Sequence, residues 1–442
     1  MSTTVWLTQS AAWEHALAES PSQHAVVRVS RMIALCSLLS LVFVPEYAQG
    51  AGEPVAKSFV YAPVAGGFRV LDIVVLVLAV VHGLALVCSR DRQPRFPRKL
   101  GLLLAGFAIA IVISLAYGME RGGRNFFFDW RAMALGVAFY TIYRCWITTE
   151  AHIRAAILAF GLVAAVRATT LWLAYALGQG ASLLGIRIPL FDGPSISALV
   201  FASLLGLSLS RVAFGGRQRW LWLLLSAGAM LLVALCFRRT YWAELAIGIA
   251  LLALIARGHR ARILALPLCM AATAFLVLGP SLGARLSSID FTHSDPPYGE
   301  DNADHVGDVL DAWTLVRAAP LMGVGLGTSY PTWHIRNWKE ESVMVHNAPL
   351  HVWLKYGLLG LGFYFAYHLH LFHCLHRQAK HAPPAGRIVV SAVLAYLAAQ
   401  FIVTLGFTPW PYSAVQSTNL IAFLLALAFI PEPVCPCRAF PS

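Results

Sequence analysis

Twelve stretches of this chain are apolar over the length that crosses a bilayer: 28–45, 68–88, 100–117, 131–148, 152–178, 194–214, 219–236, 240–257, 261–279, 348–374, 386–407 and 414–430. A helix rises about 1.5 Å per residue, so roughly 20 residues traverse the hydrocarbon core with every backbone N–H and C=O satisfied internally. Hydrophobic residues make up 58% of the 442 and charged residues 12%, against about 25% charged in a soluble domain. A chain of this size has too little interior to hide that much apolar surface from water. A soluble fold is excluded on this ground. The expected fold class is an all-α polytopic membrane protein of about 12 transmembrane helices, forming a single membrane domain over 1–442, with membrane lipid as its first partner. The first run follows about thirty mixed residues and lacks a small-residue cleavage site, so it is expected to be the first membrane helix and not a cleaved signal.

The formal charge of +12 would suggest nucleic acid in a soluble protein; here it first reports orientation, because cytoplasmic loops collect Lys and Arg. Arg90, Arg92, Arg95, Arg98 and Lys99 lie in the loop after the second run; Arg144 with Arg154, Arg217 with Arg219, Arg257 with Arg260 and Arg262, and Arg377 with Lys380 and Arg387 lie at or beside the later even-numbered loops. Those loops are expected to be cytoplasmic, with both termini. One long outer loop, 280–347, then separates the ninth and tenth runs. No nucleic-acid partner is needed. The eight cysteines imply no disulfide framework, and Cys435 and Cys437 lack a second pair for zinc.

The outer loop is acidic where the inner ones are basic, and it is expected to be an ordered lid. Its core is an amphipathic helix over about 303–318, with Val306, Val309, Leu310, Trp313 and Val316 as one apolar stripe and Pro320 as its stop. His305, Asp308 and Asp311 share a second face at i, i+3 and i+6. A cation site there is weighed against a solvated acidic face, which is preferred because acidic residues crowd the stretch and no fourth ligand is evident. The run Gly323-Val324-Gly325-Leu326-Gly327 has no strand before it, so it reads as a turn closing the lid helix, with close backbone approach to a sugar or phosphate as the alternative.

The sharpest feature is His346-Asn347, the last polar pair before the tenth run, which puts an imidazole at the outer membrane face. Such a ring can accept a proton near neutral pH, or it can be an interfacial histidine bonded to backbone. Arginines on the same side bear on that choice. Arg238 and Arg239 fill the tight outer turn between the seventh and eighth runs, against the orientation rule, and Arg187 and Arg285 lie in outer loops near membrane ends. Only five of the 33 basic residues are lysine (Lys57, Lys99, Lys339, Lys355 and Lys380), and arginine is the side chain suited to forked recognition of phosphate. Each could equally snorkel to the headgroups. Arg167 lies about eleven residues inside the fifth run, or ~16 Å deep; Glu244 or Asp72 is expected to pair with it. His368, His370 and His373 approach the cytoplasmic end of the tenth run, where interfacial solvation is explanation enough.

Taken in order, these pieces resemble the bacterial O-antigen ligase and polymerase superfamily. His346-Asn347 followed by Gly357-Leu-Leu-Gly360 is similar to its signature. Ala318 to Gly327, Phe237 to Trp242, Gly185 to Arg187 with Phe191 to Pro194, and Arg285 to Ser288 resemble further segments of it. Lys355 departs from the pattern, standing where relatives often carry an acidic residue, and the arginine turn is doubled. The resemblance implies a C-type membrane glycosyltransferase, with no cofactor and no metal, whose active site faces the periplasm from the bacterial inner membrane. The implied donor is undecaprenyl diphosphate-linked O-antigen and the implied acceptor the lipid A core. It implies His346 as the catalytic base, with Arg187, Arg238, Arg239, Arg285 and Asn347 binding substrate. A polymerase, a protein O-oligosaccharyltransferase and, from another class, a lipid-linked glycan transporter are the alternatives.

Overall fold

The computed structural model describes residues 21–43, 64, 68–88, 96–121, 126–179, 181–183, 186–189, 193–210, 217–256, 260–287, 299–331, 333, 341–342, 345–382, 384–406 and 414–429. Within them the chain is helical almost throughout. In order it forms α1 (Pro21–Ser40), α2 (Val70–Cys88), α3 (Arg98–Glu120), α4 (Phe126–Trp146) and α5 (Glu150–Ala176). A short hairpin follows, β1 (Ala181–Leu183) antiparallel to β2 (Ile186–Ile188), then α6 (Gly193–Leu209), α7 (Arg217–Leu235), α8 (Arg239–Ile255) and α9 (Arg260–Ser287). The lid helix α10 (Gly299–Ala318) precedes a second small pair, β3 (Tyr330–Pro331) with β4 (Glu341–Ser342), and α11 (Ala348–His381), α12 (Pro384–Thr404) and α13 (Val415–Ala428) are the last of the described elements.

A helix stands at each of the twelve apolar runs and at the lid, so the all-α expectation holds apart from the two small hairpins. Among the described residues, five helices are long and apolar enough to cross a membrane: α3, α5, α7, α11 and α12. Their outward residues are those a bilayer would wet, such as Leu102, Val112, Leu162, Leu224 and Leu358, all exposed. The inward side is dominated by one large apolar cluster, in which every residue of α13 and every residue of α6 except Pro194 is buried. Helices hydrophobic on every side belong at the centre of a bundle, with neighbours around them.

The lid helix begins and ends near its expected limits, stopping two residues before Pro320. Its buried face is rotated from the expected stripe. Asp308, Asp311, Ala312 and Val316 are buried, whereas Leu310 and Trp313 are exposed. Hydrophobicity misjudged the face because the two aspartates are satisfied by hydrogen bonds and can turn inward. Trp313 instead sets its ring edge-on to Trp353 of α11, with centroids 5.7 Å apart.

The glycine run after α10 is a close-packed turn. Gly323 has φ +66, and a Cβ there would overlap the Leu354 carbonyl oxygen of α11. Gly357, with φ +67 and ψ −172, breaks the helical path inside α11 and lets Leu358 N–H donate to the Leu321 carbonyl at 3.0 Å. Val324 N–H donates to Leu354 O at 2.7 Å across the same seam. Only glycine adopts these backbone angles without strain. The kink therefore couples the lid to the membrane helix by main-chain bonds.

Candidate active site

The site is assembled where the lid meets the head of α11. Asn347 caps that helix: its Oδ1 accepts from Leu350 N–H at 3.0 Å, satisfying an otherwise unpaired first-turn donor. The other end of the amide donates to the carbonyls of Leu405 and Gly406 at 2.9 and 3.1 Å, just past the end of α12. One side chain thus braces α11 against α12 and fixes the chain at His346.

His346 is held from the lid. Its backbone N–H donates to Oδ2 of Asp308 at 2.7 Å, and its Nδ1 lies 3.1 Å from the same oxygen. Tyr330 donates its hydroxyl to Oδ1 of Asp308 at 2.7 Å. The carboxylate is 1% exposed and the imidazole 13%, so of the two groups the ring is the one that reaches the surface. His305 lays its ring 4.7 Å from that of His346, and Asp311, also buried, accepts Trp333 N–H at 2.9 Å. The preferred expectation of a solvated acidic face is therefore corrected: Asp308 and Asp311 point inward, with partners. Among the described residues no group of three or more His, Cys, Asp and Glu is arranged to hold a metal ion.

Below this lies a second histidine that spacing did not single out. His351 is buried, and its Nδ1 accepts from Val345 N–H at 3.4 Å. Deeper still, Lys355 of α11 donates to Asp129 of α4 at 3.1 Å and to the Thr328 carbonyl at 2.5 Å, while Gly327 N–H donates to Asp129 at 2.8 Å. Ser114 of α3 donates to the Lys355 carbonyl and accepts from Leu326 N–H at 3.0 Å.

The arginine turn is built on a strained residue. Phe237 has φ 51, an uncommon conformation for a residue with a bulky side chain, and it persists because its ring is buried with Ile188 and Leu235 under the β1–β2 hairpin. Arg238 is the N-cap residue of α8 and Arg239 opens the helix; both are half-buried. Trp242 donates to the last carbonyls of α7, at 3.1 and 3.2 Å, which closes the turn. Arg187 lies on β2 opposite Ser182 and Arg285 on the last turns of α9; the side chains of both lie outside the described residues.

A buried polar contact relates this turn to the His346 site. Ser197 in the first turns of α6 donates to Glu244 in the second turn of α8 at 2.7 Å and meets Tyr396 of α12 at 2.8 Å. Tyr396 lies in the second half of α12, and Leu405, nine residues further, is roughly 14 Å along the axis and carries the Asn347 bond. The heads of α6 and α8 are thereby tied to the half of α12 that leads to Asn347.

Two further expectations are corrected here. Asp72 does not serve Arg167: it receives a forked pair of bonds from Arg131, both 2.7 Å, within the head of the bundle, and Glu244 takes Ser197. His368 is not an interfacial residue. It is buried, bonded to the Tyr364 carbonyl at 2.8 Å and packed on Phe401. No protein-family model matches the chain, and no curated protein is similar to it at a significant level.

Proposed function

We propose that the chain is a membrane glycosyltransferase of the O-antigen ligase and polymerase superfamily, and that it acts as the ligase. It would move O-antigen from undecaprenyl diphosphate to the lipid A core oligosaccharide. The observation that carries this reading is the imidazole of His346, fixed at the head of a long apolar helix and still open to a substrate. A proton acceptor at that place suits a hydroxyl acceptor attacking a donor anchored in the bilayer. The order of the motifs along the chain supports the same family. In this reading twelve helices span the bacterial inner membrane, both termini are cytoplasmic, and α10 lies on the periplasmic side as a lid.

The chemistry follows from the groups available. His346 takes the proton of the acceptor hydroxyl as that oxygen bonds to the anomeric carbon. The bond from this carbon to the diphosphate breaks on the opposite face, the electron pair leaves with undecaprenyl diphosphate, and configuration inverts. Arg187, Arg238, Arg239 and Arg285 supply positive charge for the departing diphosphate, the electrostatic task a metal performs elsewhere. Asn347 keeps the base in register through the cap and the brace on α12. On this account the reaction proceeds in EDTA.

Lipopolysaccharide profiling of a deletion strain tests the assignment. Loss of capped lipid A core with accumulation of lipid-linked polymer is expected. A core bearing a single repeat would overturn it in favour of a polymerase.

A further inference from the structure

Asp308 receives two bonds from one residue, the backbone N–H and the ring of His346, and a third from Tyr330, while being sealed from solvent. A carboxylate only accepts, so the 3.1 Å approach of Nδ1 is a bond when Nδ1 carries the hydrogen. In the neutral ring the lone pair then resides on Nε2, at the far edge of the imidazole. Burial pushes the Asp308 carboxyl upward, but the bonds from His346 and Tyr330 and the charge of His346 outweigh it and hold the group below the ordinary aspartate value. The acceptor is therefore ionised at neutral pH, and it lies beside the place where positive charge forms when the ring takes a proton.

The carboxylate also comes from the other side of the seam. Asp308 sits on the lid helix, His346 at the head of α11, and Tyr330 on the short strand after the glycine turn. Asp311, one turn further along the lid helix, holds Trp333 N–H and so anchors the segment that carries Tyr330.

We propose that Asp308, with Tyr330 behind it, is a positioning residue: it places the ring hydrogen of His346 on Nδ1, leaves Nε2 as the base, and does so only while α10 is seated on α11. The kinetic consequence rests on the assignment of His346 as base; the tautomer does not.

The test is the ring 15N spectrum of histidine-labelled protein, with the His346 signals identified by their loss in His346→Gln. Wild-type protein at a pH where the ring is neutral is expected to carry hydrogen on Nδ1 and none on Nε2; the opposite tautomer would overturn the proposal whatever the activity. In the ligation assay, Asp308→Asn is expected to lower kcat about 100-fold with KM changed less than threefold, and Asp308→Glu to recover part of the loss. A kcat for Asp308→Asn within twofold of wild type would also overturn it. Should Asp308→Asn fail to fold, Tyr330→Phe is expected to lower kcat about tenfold, and an unchanged rate counts against the proposal. Absence of product from wild-type protein would refute the ligase reading and leave the tautomer to decide the role of Asp308.

Discussion

Lys355 and Asp129 face each other across 3.1 Å between α11 and α4, both side chains withdrawn from solvent. The pair also holds the glycine turn, through the Thr328 carbonyl and Gly327 N–H. Among the described residues the Lys355 ammonium thus bonds internal partners only, joining α11 to α4 and to the turn. Removing one member of a buried pair leaves the other uncompensated, which costs about 3–5 kcal/mol, whereas replacing both with apolar residues is often neutral. Lys355→Met is therefore expected to lower the thermal midpoint in detergent sharply, and Lys355→Met with Asp129→Leu to recover most of it.

The seam between lid and α11 depends on backbone that only glycine adopts. Gly357→Ala meets the Leu321 carbonyl and a left-handed φ at once, so a loss of more than about 1 kcal/mol is expected. Gly362, five residues on, has nothing within 4 Å of a new Cβ. Gly362→Ala is expected to be neutral or to stabilise by up to about 1 kcal/mol. Thermal unfolding of the two variants side by side checks the contrast.

Acid should release the lid. Since the folded-state Asp308 carboxyl is held below its ordinary value, its contribution is fully present above the unfolded value of about 3.9 and is lost as pH falls through the lower folded value. Fluorescence of the Trp313–Trp353 pair, which spans lid and α11, is expected to be constant from neutral pH to about 4 and to change below it. The acid transition should shrink in Asp308→Asn.

The arginine turn offers a charge test. If one of its guanidinium groups grips diphosphate by a forked contact, lysine will not replace it. Arg238→Lys and Arg239→Lys are expected to separate, one losing about tenfold or more in kcat/KM and the other close to wild type, with both folded.

The helices were legible because an apolar run near 20 residues has few other solutions, and the lid helix because Pro320 ends it. His346-Asn347 stood out for its place before a membrane helix. Asp308 did not, since an aspartate among aspartates reads as a wet surface until Tyr330, 22 residues away, and His346, 38 residues away, are brought onto it. Lys355 was equally opaque: its partner lies 226 residues upstream. Charges placed by long-range contact leave no local period. The inner face of α10 departs from its apolar stripe for the same reason, as the bonded Asp308 and Asp311 take the places of Leu310 and Trp313.

We propose His346 as the base of a glycosyl transfer between two lipids. That role is tested most directly by ligation with purified protein, undecaprenyl diphosphate-linked donor and lipid A core acceptor, with and without EDTA. Product should form at the same rate in both conditions with wild-type protein and fall at least 100-fold in folded His346→Ala. A near wild-type rate for that variant would contradict the account.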